Sequence, residues 1–139
     1  MTVVSRRLTR RVRGEERGSA TVEMVIATPV LLLLILLVVQ FAMWQHSVHV
    51  AQAAASEGLA AARVQSGSAG SGEGEANVVL GQLTNGALRN VSVHVTRSRN
   101  NATVTVTGEA RAVIPFLHLP VHATASGPVE RFRSPGESP

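Results

Sequence analysis

The chain has 139 residues, room for one small domain, and its formal net charge is +4. Every basic residue is Arg and every acidic residue is Glu; with no Cys and no Asp, disulfides, thiolate metal sites and the commonest catalytic triads are excluded. The charge is concentrated: residues 1–18 hold six Arg against two Glu, whereas residues 19–139 hold seven of each. A nucleic-acid footprint would need a basic patch on the folded part, and the sequence provides none.

Residues 1–18 read as a basic cytoplasmic leader. Residues 24–44 follow with no charge, interrupted only by Thr28, Pro29 and Gln40. As a helix this stretch is about 31 Å long, enough to cross the hydrocarbon core of a bilayer. Trp44 ends it, where an amphipathic ring favours the interface, and the Arg-rich flank keeps the N-terminus cytoplasmic by the positive-inside tendency. Pro29 lacks an amide donor and should loosen the first turns.

The helix is expected to continue outside the membrane, giving one long element over 19–65. Residues 45–65 contain no proline and are rich in Ala, the best helix former. Ala51, Ala54, Ala55, Gly58 and Ala62 fall at three- and four-residue spacings, a smooth stripe that lets another backbone approach closely. Residues 66–75, SGSAGSGEGE, read as a flexible Gly/Ser linker.

A small extracytoplasmic α+β module is expected over 76–130. Val79, Leu80 and Leu83 mark a short helix that stops at Asn85-Gly86. Three alternating runs follow: VSVHV, then ATVTVTGEARAVI, then VHATASG. RSRNNA reads as a hairpin loop between the first two, PFLHLP as the second turn, and Gly108 as a bulge. Three antiparallel strands with one apolar face need a cover, and the outer half of the long helix is the candidate. Residues 131–139 read as a disordered tail. The fold class is therefore α+β: a long transmembrane helix continuing outside, a short helix and a small three-stranded antiparallel sheet.

No constellation for catalysis emerges. His46 and His49 share a helix face, and His118 and His122 flank a loop, but neither pair has a trustworthy metal-ligand pattern. His94 stands apart. The segment GSAGSGEG follows a helix and lacks the Lys of a phosphate loop. Glu73 and Glu75 read as linker solubility. No enzyme activity, metal, cofactor or small-molecule substrate is expected.

One residue stands out chemically. Glu23 lies at the lip of the apolar run, and an ionisable group there calls for a partner. The combination of a basic leader, Gly18, Ser19 and Glu23 at the fifth position of an apolar helix resembles the type IV prepilin processing signal. With the Ala-rich helix and the three Val/Thr strands, residues 14–130 look like the TadE-like pseudopilins of the tight-adherence (Tad/Flp) pilus system. Met24 replaces the Tyr that small Flp pilins place beside the glutamate, which argues against a major pilin subunit. The resemblance implies cleavage between Gly18 and Ser19 by a membrane-embedded prepilin peptidase. It implies that Glu23 pairs with the new N-terminal amine of a neighbouring subunit. The implied partners are the membrane, other pilin or pseudopilin subunits and inner-membrane assembly proteins. The alternative is a signal-anchored extracytoplasmic binding module that is not processed as a pilin, in which Glu23 is an incidental interfacial residue.

Overall fold

A computed structural model describes residues 9–131, with side chains from Gly18 onward. Residues 1–8 of the leader and 132–139 of the expected tail lie outside the described residues. The chain divides into two units, Met1–Val38 and Val39–Pro139, taken here in turn.

Helix α1 is Thr9–Arg63 and runs through the boundary between them. It starts ten residues before the expected helix, because Arg and Glu are good helix formers and no proline intervenes. In the first unit every residue from 18 to 38 is exposed. The helix is long and apolar enough to cross a membrane: over Gly18–Arg63, its most apolar window has a mean hydropathy of 2.8 and is 0% buried. Pro29 lies inside the helix, and one turn back the Thr28 hydroxyl donates to the Met24 carbonyl at 2.8 Å. The carbonyl left without its i+4 amide donor by Pro29 is that of Val25, so this bond serves the neighbouring carbonyl.

The second unit holds the outer part of α1, helix α2 (Ala69–Leu83) and strands β1 (Leu88–Arg97), β2 (Asn101–Ala110) and β3 (Leu119–Pro128). The strands form an antiparallel meander in the order β1-β2-β3. Val104 is paired with Val95 and Ala125, and Val106 with Val93 and Ala123, so one face carries an apolar band. Thr103, Thr105, Thr107 and Thr124 alternate onto the other face, as a one-sided sheet requires. The core joins Val50, Ala51, Ala54 and Ala55 of α1 to Ala76 and Leu80 of α2 and to Val104, Val106, Val121 and Ala123 of the sheet.

Three expectations are revised. The linker expected over 66–75 is helical from Ala69, because Ser68 and Ser71 form a reciprocal capping box: the Ser71 amide donates to Ser68 Oγ at 3.0 Å and the Ser68 amide donates to Ser71 Oγ at 2.8 Å. The glycines that suggested flexibility serve packing: Gly72 is buried, and a Cβ there would lie 2.8 Å from Ala62 Cβ and 2.8 Å from the Gly58 carbonyl oxygen. The bulge expected at Gly108 sits across from it. Arg89 pairs with Glu109 and Ser92 with Thr107, so Asn90 and Val91 of β1 oppose Gly108 alone. Asn90 takes φ +51, and a Cβ on Gly108 would stand 3.1 Å from the Arg89 carbonyl oxygen. The second strand, expected to reach residue 114, ends at Ala110.

Both ends of this packed unit are closed by specific bonds. Thr84 caps α2, its amide and hydroxyl both donating to the Leu80 carbonyl, and Asn85 and Gly86 then turn the chain with φ +36 and +80. At the C-terminus of α1, Arg97 Nε donates to the Ala62 carbonyl at 2.7 Å and Nη2 to that of Val64 at 3.2 Å. A cation there satisfies free carbonyls and opposes the negative end of the helix dipole.

Candidate assembly site

The site residues suggested by the sequence fall into two groups. Gly18, Ser19 and Glu23 occupy consecutive turns of α1 in the first unit and are fully in the open; a Cβ on Gly18 would meet nothing within 4 Å. Among the described residues Glu23 has no ion pair, the one salt bridge there being Arg63–Glu130 at 3.8 Å. Val22, Met24, Val25 and Ile26 around it are each at least 60% exposed. An ionisable side chain is therefore set in an exposed apolar stretch of helix, with no ion pair among the described residues.

The second group lies within the outer unit. Ala51, Ala54, Ala55 and Ala62 are each 0% exposed, and Gly58 is buried. The stripe faces the chain's own α2 and sheet: a Cβ on Gly58 would be 2.8 Å from the Gly72 carbonyl oxygen, 3.0 Å from Ala76 Cβ and 3.4 Å from a Val104 methyl. Small residues let α1 and α2 touch backbone to backbone at the Gly58–Gly72 crossing. The structure thus brings the stripe together but places it inside the module, apart from Gly18, Ser19 and Glu23 in sequence and in unit.

Gln40, Trp44 and Ser47, of which the sequence singled out only Trp44 and for an interfacial role, define where the outer unit takes hold of α1. Gln40 reads as a blemish in the apolar run, yet it is 1% exposed. Its Oε1 accepts from the amides of Val113 at 2.6 Å and Ile114 at 3.2 Å, and its Nε2 donates to the Arg111 carbonyl at 3.3 Å. Trp44 Nε1 donates to the Pro120 carbonyl at 3.1 Å. Ser47, 0% exposed, shares its hydroxyl proton between the Met43 carbonyl at 2.9 Å and the Ala87 carbonyl at 3.0 Å. Residues 40–44 of the expected membrane segment over 24–44 thus lie in the outer unit, and the unbroken exposed stretch ends at Val39. A single polar letter amid leucines and valines was the available signal.

Three of the five histidines have ordinary local partners. His49 Nε2 lies 3.2 Å from Gln45 Nε2, His118 Nδ1 lies 3.2 Å from the Phe116 carbonyl, and His122 Nε2 lies 3.2 Å from Thr124 Oγ1. Among the described residues no three His or Glu side chains are grouped to hold a metal ion.

Comparison with known proteins adds one match: the model of the family described as TadE-like protein fits residues 18–59. No curated protein and no solved structure matches. The matched span begins at Gly18, includes Glu23 and Gln40 and ends just past Gly58, so it covers the candidate residues except Ala62 and leaves the sheet outside. Over residues 18–59, then, the chain is similar to TadE-like proteins.

Proposed function

We propose that the protein is a minor, pilin-like component of a Tad-type pilus or secretion apparatus. It works by helix packing and contributes no catalysis. The observation that carries this reading is Glu23, a carboxylate without an ion pair among the described residues, in a helix exposed on every side, within a segment that matches TadE-like proteins.

In this reading the N-terminus is cytoplasmic and α1 crosses the membrane, with the α+β module outside. A prepilin peptidase hydrolyses the peptide bond between Gly18 and Ser19. Residues 1–18 leave with a new carboxylate on Gly18, and Ser19 gains a free α-ammonium. The leader's net charge of +4 goes with it. Gly18 favours the cut, since glycine weakens a helix interior by about 1 kcal/mol relative to alanine and a peptidase needs the chain locally unwound. The Ser19 ammonium of one subunit then pairs with Glu23 of the next as the helices pack. An isolated carboxylate in hydrocarbon is costly, and a hydrogen-bonded opposite charge offsets that cost. Assembly is thereby conditional on processing, with pilin or pseudopilin subunits and inner-membrane assembly proteins as partners.

The test is mass spectrometry of the N-terminus of protein recovered from cells, alongside Glu23→Ala. A chain beginning at Ser19, and a variant that inserts and is cleaved but fails to support piliation, are the expected results. An intact N-terminus with normal display in the Glu23→Ala cells would refute the reading and leave an anchored extracytoplasmic module.

A further inference from the structure

One segment of the outer unit is unexplained by its packing. The turn at residues 114–117 is closed by the Leu117 amide donating to the Ile114 carbonyl at 3.3 Å. Pro115 occupies its second position and Phe116 its third, where φ is +69. That is the pattern of a type II turn, whose third position ordinarily takes glycine because a side chain there is strained. Here the position holds a bulky aromatic, and it is 95% exposed. A strained backbone that presents an apolar ring to the outside calls for a ligand.

What lies next to the turn says which ligand. Gln40 binds the Arg111 carbonyl and the Val113 and Ile114 amides, fixing the residues that lead into the turn, and Trp44 binds the Pro120 carbonyl, fixing those that leave it. Both anchors lie on α1 at the place where its exposed apolar run gives way to the packed module. Phe41 between them is 61% exposed, with its ring centroid 5.8 Å from that of Trp44. The segment is therefore tied to α1 at the level where a membrane-crossing helix leaves the hydrocarbon. Its composition suits that level: Val113, Pro115 and Phe116 are exposed and apolar, while Arg111 and His118 flank them with polar heads. Aromatic rings and long basic side chains are the groups that settle at the bilayer interface. The opposite end of the sheet, about 30 Å away along β2, carries Ser98, Arg99 and Asn100 and no apolar tip.

We propose that the turn at residues 114–117 is a second membrane contact, seated in the headgroup region of the bilayer that α1 crosses, with Phe116 as the inserted side chain. The contact rests on the membrane-spanning reading of α1. It gives the outer unit a lipid contact of its own, distinct from the apolar run of α1.

The chain's lack of cysteine gives a clean background. Single cysteines at Phe116, Asn100 and Leu34 in the full chain carry an environment-sensitive fluorophore. The proteins are reconstituted in vesicles of phosphatidylethanolamine and phosphatidylglycerol containing lipids spin-labelled at the headgroup or deep in the acyl chain. A fourth label at Ala112 is read with native Phe116 and with Phe116→Ser. The expected result is deep quenching at 34, shallow quenching at 116 severalfold above that at 100, and a severalfold loss of quenching at 112 when Phe116 is replaced. Quenching at 34 with 116 as unquenched as 100 overturns the proposal while the spanning helix stands. So does a label at 116 that is shielded from aqueous iodide without lipid quenching, which would mean a protein cover. Absence of quenching at 34 overturns the spanning helix and the proposal together.

Discussion

The Gly58–Gly72 crossing permits a test in which two known effects oppose each other. Replacing glycine by alanine inside a helix stabilises it by about 1 kcal/mol when the new methyl meets open space. Gly74 of α2 is such a position, with nothing within 4 Å of a Cβ. At Gly58 the methyl meets the Gly72 carbonyl oxygen at 2.8 Å and Ala76 Cβ at 3.0 Å, and neither obstacle can swing aside. Forcing a methyl into a filled contact costs about 1–3 kcal/mol, because one backbone must back away from the other. Gly74→Ala should therefore gain about 1 kcal/mol, while Gly58→Ala should lose up to about 2 kcal/mol after the propensity gain is subtracted. Gly72→Ala, facing Ala62 Cβ and the Gly58 carbonyl oxygen, should behave like Gly58→Ala. The assay is urea unfolding of the outer module in the full, micelle-embedded chain, followed by Trp44, the only tryptophan, whose indole is bonded to Pro120. A Gly58→Ala protein as stabilised as Gly74→Ala would refute the close crossing and the intramolecular use of the stripe.

The polar anchors give further outcomes. Gln40→Leu leaves two amides and one carbonyl without their partner and should cost about 1–3 kcal/mol locally, since each such bond is worth about 1 kcal/mol net and water can reach part of the loop. Hydrogen exchange at the Val113 and Ile114 amides should accelerate while exchange at Val104 stays slow. Arg97→Ala removes two charge-assisted bonds to the end of α1 and should cost about 1–2 kcal/mol in the same unfolding assay. Arg63→Ala breaks only an exposed pair, with side chains 44% and 58% accessible, and should fall within about 0.5 kcal/mol of the parent.

The parts of this fold that follow from period and length were legible in the sequence. A charge-free run of membrane length, valines alternating with threonines and alanines at helical spacing each reflect a repeated burial pattern, so the long helix, the meander and the buried faces of Val104, Val106, Val121 and Ala123 could be read from them. Features that depend on one contact across the fold were not. The glycines of 66–75 signal flexibility in isolation and become helical because Ser68 and Ser71 cap one another and because Gly72 fits against Gly58 and Ala62. Gly108 marks the right level for the bulge but not the right strand, since the extra residue sits on the partner. Gln40 and Phe116 could not be interpreted from local pattern at all. The first is explained by backbone groups more than 70 residues away, and the second stands out only through its φ and exposure.

Gln40 also changes the weight of the two meanings open to Glu23. With a membrane segment at 24–44, the carboxylate would precede the span and could rest among headgroups near the helix N-terminus, where the dipole favours an anion. The module, however, takes hold of α1 at Gln40, so the exposed apolar stretch ends at Val39. A bilayer core about 30 Å thick takes about 20 helical residues at 1.5 Å each, and counting back from Val39 puts the other boundary near Ala20. On this frame Glu23 lies about one turn inside the hydrocarbon, and Ser19 lies at its edge. An incidental carboxylate has little reason to occupy that depth, because snorkelling with a short side chain recovers only part of the hydration it loses. A carboxylate that meets an ammonium there has a partner at the matching level on an adjacent helix shifted by about one turn. The depth set by a glutamine at one end of the span therefore favours the paired reading of the glutamate at the other.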